Sequence, residues 1–386
     1  MNVCFISEPL FPVTGTSSRT INFARALTRK GHRTFILTFK ETPDAEPLED
    51  YGGITIIRLD TYMPVKFYEE RMKMELRFLL RGGFMKLLSK IRDVVSRWNI
   101  DILHYASYFP SLIGILMKKL TAWPFIADLH ASASMEALSR GKYMYFVECL
   151  ILEKTICRTA DAVVVTTPEL SEYLLGRYGG NIRVVPDCIN TDWFVPKPEV
   201  RHEIRKRHGI DEGEYVLFFH GSPYPENIRA LNEVSKVLDS LNSMGLRTKA
   251  IIAGKFYNEP VKNPNMVYAG YVDDLPGYIS SADLAILPIR MKSAGLRTRL
   301  MEYLACGLPV VTTEEGVTGF RFTVESGCVV VAGDTKDMVM KIASLLEDED
   351  LRRRMSLTAR RVAEDNFSPR VAAERLEKVF REVLEK

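Results

Sequence analysis

Short apolar runs alternate with longer stretches whose apolar positions recur at i, i+3, i+4 and i+7, and this alternation continues along the whole chain. The apolar runs are rich in Val, Ile, Phe and Leu with little polar interruption, the pattern of strands buried on both faces. In the first half the pattern predicts strands at 2–7, 33–39, 54–59, 100–105, 124–129, 162–166 and 182–185. It restarts with strands at 214–220, 248–253, 266–269, 283–287, 309–313 and 328–331. Strands that alternate with helices imply parallel sheets covered on both sides, hence an α/β class of doubly wound, Rossmann-like domains. Between the two series, residues 190–200 (NTDWFVPKPEV) carry two prolines and read as a linker. The expected organisation is a first domain over 1–190 and a second over 201–366. A terminal stretch, 367–386, ends in a helix with one apolar stripe.

Candidate chemistry concentrates in 281–316. A strand there is followed by a Ser/Ala/Gly loop and a helix starting near Thr298, and Gly307 and Pro309 stop that helix before the next strand. Arg297, Arg299 and Glu302 therefore fall at a helix N-terminus just past the C-terminal end of a parallel strand, where such sheets bind ligands. Arginines there suit a diphosphate, and a carboxylate one turn on suits the hydroxyls of a ribose. The plainer reading is a surface Arg299–Glu302 pair at i,i+3, worth ~0.3 kcal/mol.

Gly295-Leu296-Arg297-Thr298-Arg299-Leu300-Met301-Glu302, continued by Tyr303-Leu304-Ala305-Cys306-Gly307-Leu308-Pro309-Val310-Val311, resembles the donor-binding signature of family 4 of the glycosyltransferases, G-x-R-x-K-x-x-E-A-L/M-A-x-G-x-P-V-V. Arg299 stands in place of the lysine, Tyr303 in place of an alanine, and Ala294 where the wider family has a first glutamate. The resemblance implies a GT-B fold, two Rossmann-like domains facing across a cleft, with the terminal helix crossing back to the first. It implies a nucleotide-diphosphate sugar as donor and a carbohydrate or lipid-linked acceptor, with retention of anomeric configuration. Glu302 would hold the ribose, Gly295 and Thr298 would line the donor, and Arg297 and Arg299 would stabilise charge on the leaving diphosphate. The loop His220-Gly221-Ser222-Pro223-Tyr224-Pro225-Glu226-Asn227 resembles the family's diphosphate-facing turn, so Gly221 and Ser222 join the donor set. The Arg and Lys that many members carry there are missing, which throws the cationic role onto Arg297 and Arg299, with Arg229 a weaker substitute.

In the first half, the turn after the first strand keeps Gly15 of the family's paired glycines and has Thr16 for the second. His130 follows the strand that ends in PFIADL and matches a functional histidine of the family, as an orienter of sugar and not an obligate base; a satisfied structural histidine is the alternative. Asp128, two positions earlier, reads either as facing the same way or as a helix cap. The stretches 160–167 and 184–194 resemble family segments of structural character, with Asp187 and Cys188 replacing the usual Asn-Gly.

Composition narrows the partners. Among 386 residues, 46% hydrophobic and 26% charged with a net charge of +3, no basic face is dense enough for a nucleic-acid partner. No apolar run reaches the ~18 residues of a membrane span, and the start, MNVCFISEP, reads as a strand in place of a signal peptide. The six cysteines form no C-x-x-C pair and read as small buried hydrophobes of a reducing compartment, so the expected location is cytoplasmic. No His/Cys/Glu cluster has ligand spacing, and Asp348-Glu349-Asp350 reads as charged helix surface; neither a metal nor another cofactor is expected. Residues 66–97 are basic and apolar, broken at Gly82-Gly83. They suit either peripheral contact with the inner face of a membrane or ordinary packing with snorkelling arginines. Two other functions fit the same motifs: a nucleotide-sugar epimerase, for which the sequence offers no clear acid/base carboxylate, and a non-catalytic sugar-nucleotide-binding module.

Overall fold

The computed structural model describes residues 1–11, 15–62, 82–121, 123–139, 141–256, 258–291 and 298–385. The chain divides into two compact units, Met1–Cys188 with Pro369–Lys386, and Ile189–Ser368.

The first unit runs β1 (Asn2–Ile6), α1 (Gly15–Arg29), β2 (Arg33–Lys40), β3 (Leu48–Asp50), β4 (Ile54–Tyr62), α2 (Phe84–Trp98), β5 (Ile102–Ala106), α3 (Tyr108–Leu120), β6 (Ile126–Leu129), α4 (Ala133–Ser139), α5 (Tyr143–Thr159), β7 (Ala162–Val165), α6 (Pro168–Tyr178) and β8 (Ile182–Val184). Its strands form one sheet in the order β3-β4-β2-β1-β5-β6-β7-β8. Every pairing is parallel except β3 with β4. The sequence pattern missed β3, a three-residue edge strand, Leu-Glu-Asp, with no buried residue to give it a period.

In the second unit the elements are α7 (Arg201–Arg207), β9 (Tyr215–His220), α8 (Pro225–Ser243), β10 (Thr248–Ala253), β11 (Met266–Gly270), α9 (Leu275–Ser280), β12 (Leu284–Leu287), α10 (Thr298–Ala305), β13 (Val310–Thr312), α11 (Arg321–Glu325), β14 (Val329–Val331), α12 (Thr335–Glu347) and α13 (Glu349–Phe367). Its sheet is wholly parallel, ordered β11-β10-β9-β12-β13-β14. The last helix, α14 (Pro369–Leu384), belongs to the first unit, where Ala373, Leu376 and Phe380 join Val3, Phe5 and Ile21 in one apolar cluster.

Val216–Phe219 of β9 and Leu284–Leu287 of β12 are wholly buried, as strands covered on both faces must be. Among the parallel strands of each sheet the order reverses once, between β1 and β5 and between β9 and β12. Those two switch points bring the C-terminal ends of neighbouring strands together with the loops that leave them. Residues 190–200 lie in the second unit, where Arg360 of α13 donates to the carbonyls of Thr191, Phe194 and Ala305 and ties the incoming segment to the end of α10.

Of the basic, apolar stretch 66–97, residues 66–81 lie outside the described residues. α2 turns Leu87, Leu88, Ile91 and Val94 inward, which favours packing for that part. Among the described residues no helix is long and apolar enough to cross a membrane. All six cysteines are free and buried.

Candidate functional site

In the second unit the site is built where β9 and β12 end. Gly307, in left-handed geometry (φ 67°), terminates α10, with Leu308 N–H returned to Tyr303 O at 2.9 Å. The helix is thereby fixed with three side chains toward the end of β9. Arg299 donates from Nη1 to His220 O (2.8 Å) and from Nη2 to Asn227 Oδ1 (3.0 Å), and lies 5.1 Å above the Phe219 ring. Tyr303, fully buried, accepts from His220 N–H at 3.2 Å and meets the His220 ring edge-on at 5.3 Å. Glu302 brings Oε2 to 2.9 Å from His220 Nε2, off the line of a hydrogen bond, with its side chain 19% exposed. The loop after His220 is clamped from the other side, since Asn227 donates from Nδ2 to Ser222 O at 2.7 Å.

Backbone crowds in closely here. A Cβ on Gly221 would stand 2.9 Å from Asn227 Nδ2 and 3.1 Å from Arg299 Nη1. One on Gly254, whose φ is 118°, would stand 1.9 Å from Gly221 O. The turn is therefore too closely packed for a side chain at Gly221 or Gly254, while Ser222 and Thr298 face solvent. Arg299 is committed to holding this turn. Arg229 is exposed on α8. Gly295, Arg297 and the Ala294 position lie outside the described residues.

The first unit gathers its own polar cluster where β1, β5 and β6 end. β6 runs through Asp128, which is 1% exposed and is held by a buried arginine. Arg19 of α1 donates to both Asp128 oxygens (Nε to Oδ2 2.9 Å, Nη2 to Oδ1 3.0 Å), to Asp187 Oδ1 (2.6 Å) and to Val185 O (2.8 Å). Burial works against the Arg19 charge, but the two carboxylates outweigh it and raise its pKa further. Burial likewise opposes the charge on Asp128, yet Arg19, then His130 and His104, hold its pKa below the ordinary carboxylate value. His130 follows β6 with its side chain 21% exposed and Nε2 3.8 Å from Asp128 Oδ2. Gly15 opens α1; residues 12–14 of the same turn lie outside the described residues.

A second buried carboxylate sets the chain that follows His130. Glu153 of α5 is fully buried and accepts from Tyr108 Oη (3.0 Å), Ser132 Oγ (2.9 Å), Ser134 N–H and Oγ (3.0 Å to Oε1, 2.7 Å to Oε2) and Tyr178 Oη (3.2 Å). Burial, and then the Glu153 charge, push the Tyr108 phenol well above its ordinary pKa, so it stays a donor.

Of the sequence-derived candidates, the structure brings Gly221, Ser222, Thr298, Arg299 and Glu302 to one corner of the second unit, and places Gly15 and His130 in the first. Sequence reasoning missed Arg19, Glu153, Gly254 and the role of Asp187. A charged residue on an otherwise apolar helix face was the available signal for Arg19 and Glu153. Asp348 caps α13 by accepting from Leu351 N–H (2.8 Å), and among the described residues no three His, Cys, Asp or Glu side chains converge to hold a metal ion.

Residues 13–193 match the family model described as Glycosyltransferase Family 4, and residues 214–348 match that of the Glycosyl transferases group 1. The chain belongs to the family 4 glycosyltransferases of GT-B fold. Among its curated relatives, a D-inositol 3-phosphate glycosyltransferase of Corynebacterium diphtheriae is 25% identical over 95% of this chain and 89% of that protein. The sulfoquinovosyl transferase of Arabidopsis thaliana is 24% identical over 92% of this chain and 68% of its own. An N-acetyl-α-D-glucosaminyl L-malate synthase of Bacillus anthracis is 22% identical over 99% and 96%. In fold the chain is similar to a sucrose-phosphate synthase from Thermosynechococcus elongatus, with a TM-score of 0.79 at 16% identity over 100% of this chain and 99% of that one. It is similar also to an Anabaena protein solved with UDP and glucose, with a TM-score of 0.71 at 16% identity over 99% of both.

Proposed function

We propose that this glycosyltransferase takes a nucleotide-diphosphate sugar in its second unit and moves the sugar, with retention, to a carbohydrate or lipid-linked acceptor. The observation that carries the reading is Glu302, a partly exposed carboxylate held beside the closely packed glycine turn that follows β9. Glu302 accepts the ribose hydroxyls, and charge-assisted bonds of that kind contribute ~1.5–3 kcal/mol. The diphosphate lies against Gly221, Ser222 and Thr298 at two helix N-termini, which favour negative charge, and the family resemblance gives Gly295 and Arg297 the same role. Arg299 adds positive charge from beneath the turn while holding its shape.

In the transfer, the bond from the anomeric carbon to the diphosphate oxygen breaks as the acceptor oxygen bonds to the same face. The acceptor proton passes to the departing diphosphate oxygen, so no protein base is required. Cationic side chains and helix dipoles stabilise the developing charge without a bound metal or other cofactor. His130, whose environment is set by Asp128 and Arg19, orients a sugar hydroxyl. The test is calorimetry with UDP-, GDP-, ADP- and CMP-sugars on wild type and Glu302→Ala. One nucleotide class binds, and the substitution weakens it roughly tenfold to a hundredfold. Unchanged donor affinity in a folded Glu302→Ala protein sinks the ribose role, and binding without turnover with any acceptor moves the non-catalytic reading ahead.

A further inference from the structure

Helix α5 is apolar on both of its faces. Inward it turns Cys149, Ile156 and Cys157, together with Glu153, and outward it presents Tyr143, Met144, Val147 and Ile151. A helix on the surface of a folded unit ordinarily gives its outer face to charged and polar side chains. α2, in the same unit and of similar length, does so: Leu87, Leu88, Ile91 and Val94 point in, and Ser89, Arg92, Asp93 and Arg97 meet water. α5 departs from that pattern, and a helix that is apolar all round is one that is covered.

The outward residues form one surface. Tyr143, Val147 and Ile151 repeat at i,i+4, and Met144 lies at i,i+3 from Val147, so the four make a continuous stripe. α4 packs against α5 and adds Met135 and Leu138, themselves at i,i+3. The six range from 44% (Met135) to 83% (Met144) exposed. At ordinary residue areas they expose roughly 700 Å², above the ~300–600 Å² of the largest patch on a typical monomer and close to the ~800 Å² that each partner buries in a stable complex.

Charge and spacing select the cover. Glu148 stands exposed beside Val147, and Glu136 stands exposed on α4 beside Met135. A bilayer would desolvate Glu148 and set both carboxylates against anionic headgroups. Lys154 and Arg158 are exposed toward the far end of α5; Lys142, near its start, is half-buried, and Arg140 lies outside the described residues. Antiparallel pairing of two copies brings Lys154 and Arg158 of each α5 toward the half of the other that carries Glu136 and Glu148. The stripe is also self-complementary. Tyr143 and Ile151 stand one turn to either side of Val147, so a two-fold axis through Val147 lays Tyr143 against Ile151 of the partner subunit, and Ile151 against the partner's Tyr143. We propose that a second copy of this chain covers the face, in an antiparallel α5–α5 contact centred on Val147.

Size exclusion with light scattering, on the full chain at micromolar concentration, tests it. Wild type runs as a dimer. Val147→Glu and Val147→Lys each set like charges face to face at the axis; they weaken association about a hundredfold or more and run as monomers, with far-UV circular dichroism unchanged. Mixed in equal amounts, the two variants recover the dimer, because each glutamate then meets a lysine. Leu357→Glu, at an exposed apolar position on α13 of the second unit, leaves the dimer intact. A monomeric wild type overturns the proposal, as does a dimer that survives both Val147 variants or a mixture that stays monomeric. A monomeric wild type that floats with vesicles of phosphatidylglycerol and phosphatidylethanolamine gives the face to a bilayer, and the proposal falls with it.

Discussion

At the level of single residues, the donor corner turns on what α10 does to the end of β9. Tyr303, where relatives of the same motif carry alanine, supplies the acceptor for His220 N–H and packs against that ring. Burial, the largest influence, raises the pKa of the phenol, so it remains a neutral hydroxyl at any working pH. Tyr303→Phe keeps the ring and leaves a buried N–H without its acceptor, a loss of about 1–3 kcal/mol from the second unit. Chemical denaturation measures it; wild-type stability would mean that this N–H finds another acceptor. The motif's spacing made Arg299 and Glu302 legible in the sequence, because i,i+3 at a helix start fixes their common direction. It did not reveal that Arg299 faces the His220 carbonyl and Asn227, because those partners lie more than seventy residues away in the chain.

Among elements, α4 and α5 show how a buried carboxylate held by hydroxyls and a main-chain N–H can organise a loop. Three hydroxyl-bearing segments and one main-chain N–H converge on Glu153, and Ser132 also caps the start of α4 through Met135 N–H at 3.2 Å. The carboxylate therefore fixes residues 131–134, the stretch immediately after His130. Glu153→Leu leaves the Ser132, Ser134 and Tyr178 hydroxyls and the Ser134 N–H without this acceptor, while Tyr108 keeps the Ala131 carbonyl at 2.8 Å, and we expect the first unit to lose ~3 kcal/mol or more. Tryptophan fluorescence during urea unfolding measures the loss, and a change below about 1 kcal/mol would show that the hydroxyls re-pair among themselves. The strands and helices around this cluster were legible from periodicity, since burial on both faces leaves long apolar runs. β3 was not, because a half-exposed edge strand carries no such run.

Across the molecule, two wholly or mostly parallel sheets and a chain that returns to its first unit followed from the βα alternation and the family motif, and the strand orders bear out the doubly wound class. The buried polar interior of the first unit was hidden, because ion pairs between α1, β6 and the segment after β8 join positions far apart in sequence. That interior predicts an acid response. His104 is fully buried between Phe5 and Phe380, with Asp128 Oδ2 3.8 Å from its Nε2, beyond hydrogen-bond reach. Burial is the main reason its pKa falls to about 4; Asp128 opposes the shift, and the Arg19 and His130 charges add to it. In the unfolded chain the same ring titrates near 6.5. Between those values the unfolded state binds more protons, so stability is complete above about pH 6.5 and falls as the pH drops toward 4, by ~3 kcal/mol. Asp128, whose pKa is depressed, adds a second loss only once the pH passes below the ~3.9 of an unfolded carboxylate. Two units need not melt together, so the measurement follows Trp98 and Trp123 of the first unit in a Trp193→Phe background. His104→Phe, which keeps an aromatic ring between Phe5 and Phe380 and removes the proton site, flattens the profile between pH 6.5 and 4. A profile in that window as steep as wild type's would assign the acid response to groups other than His104.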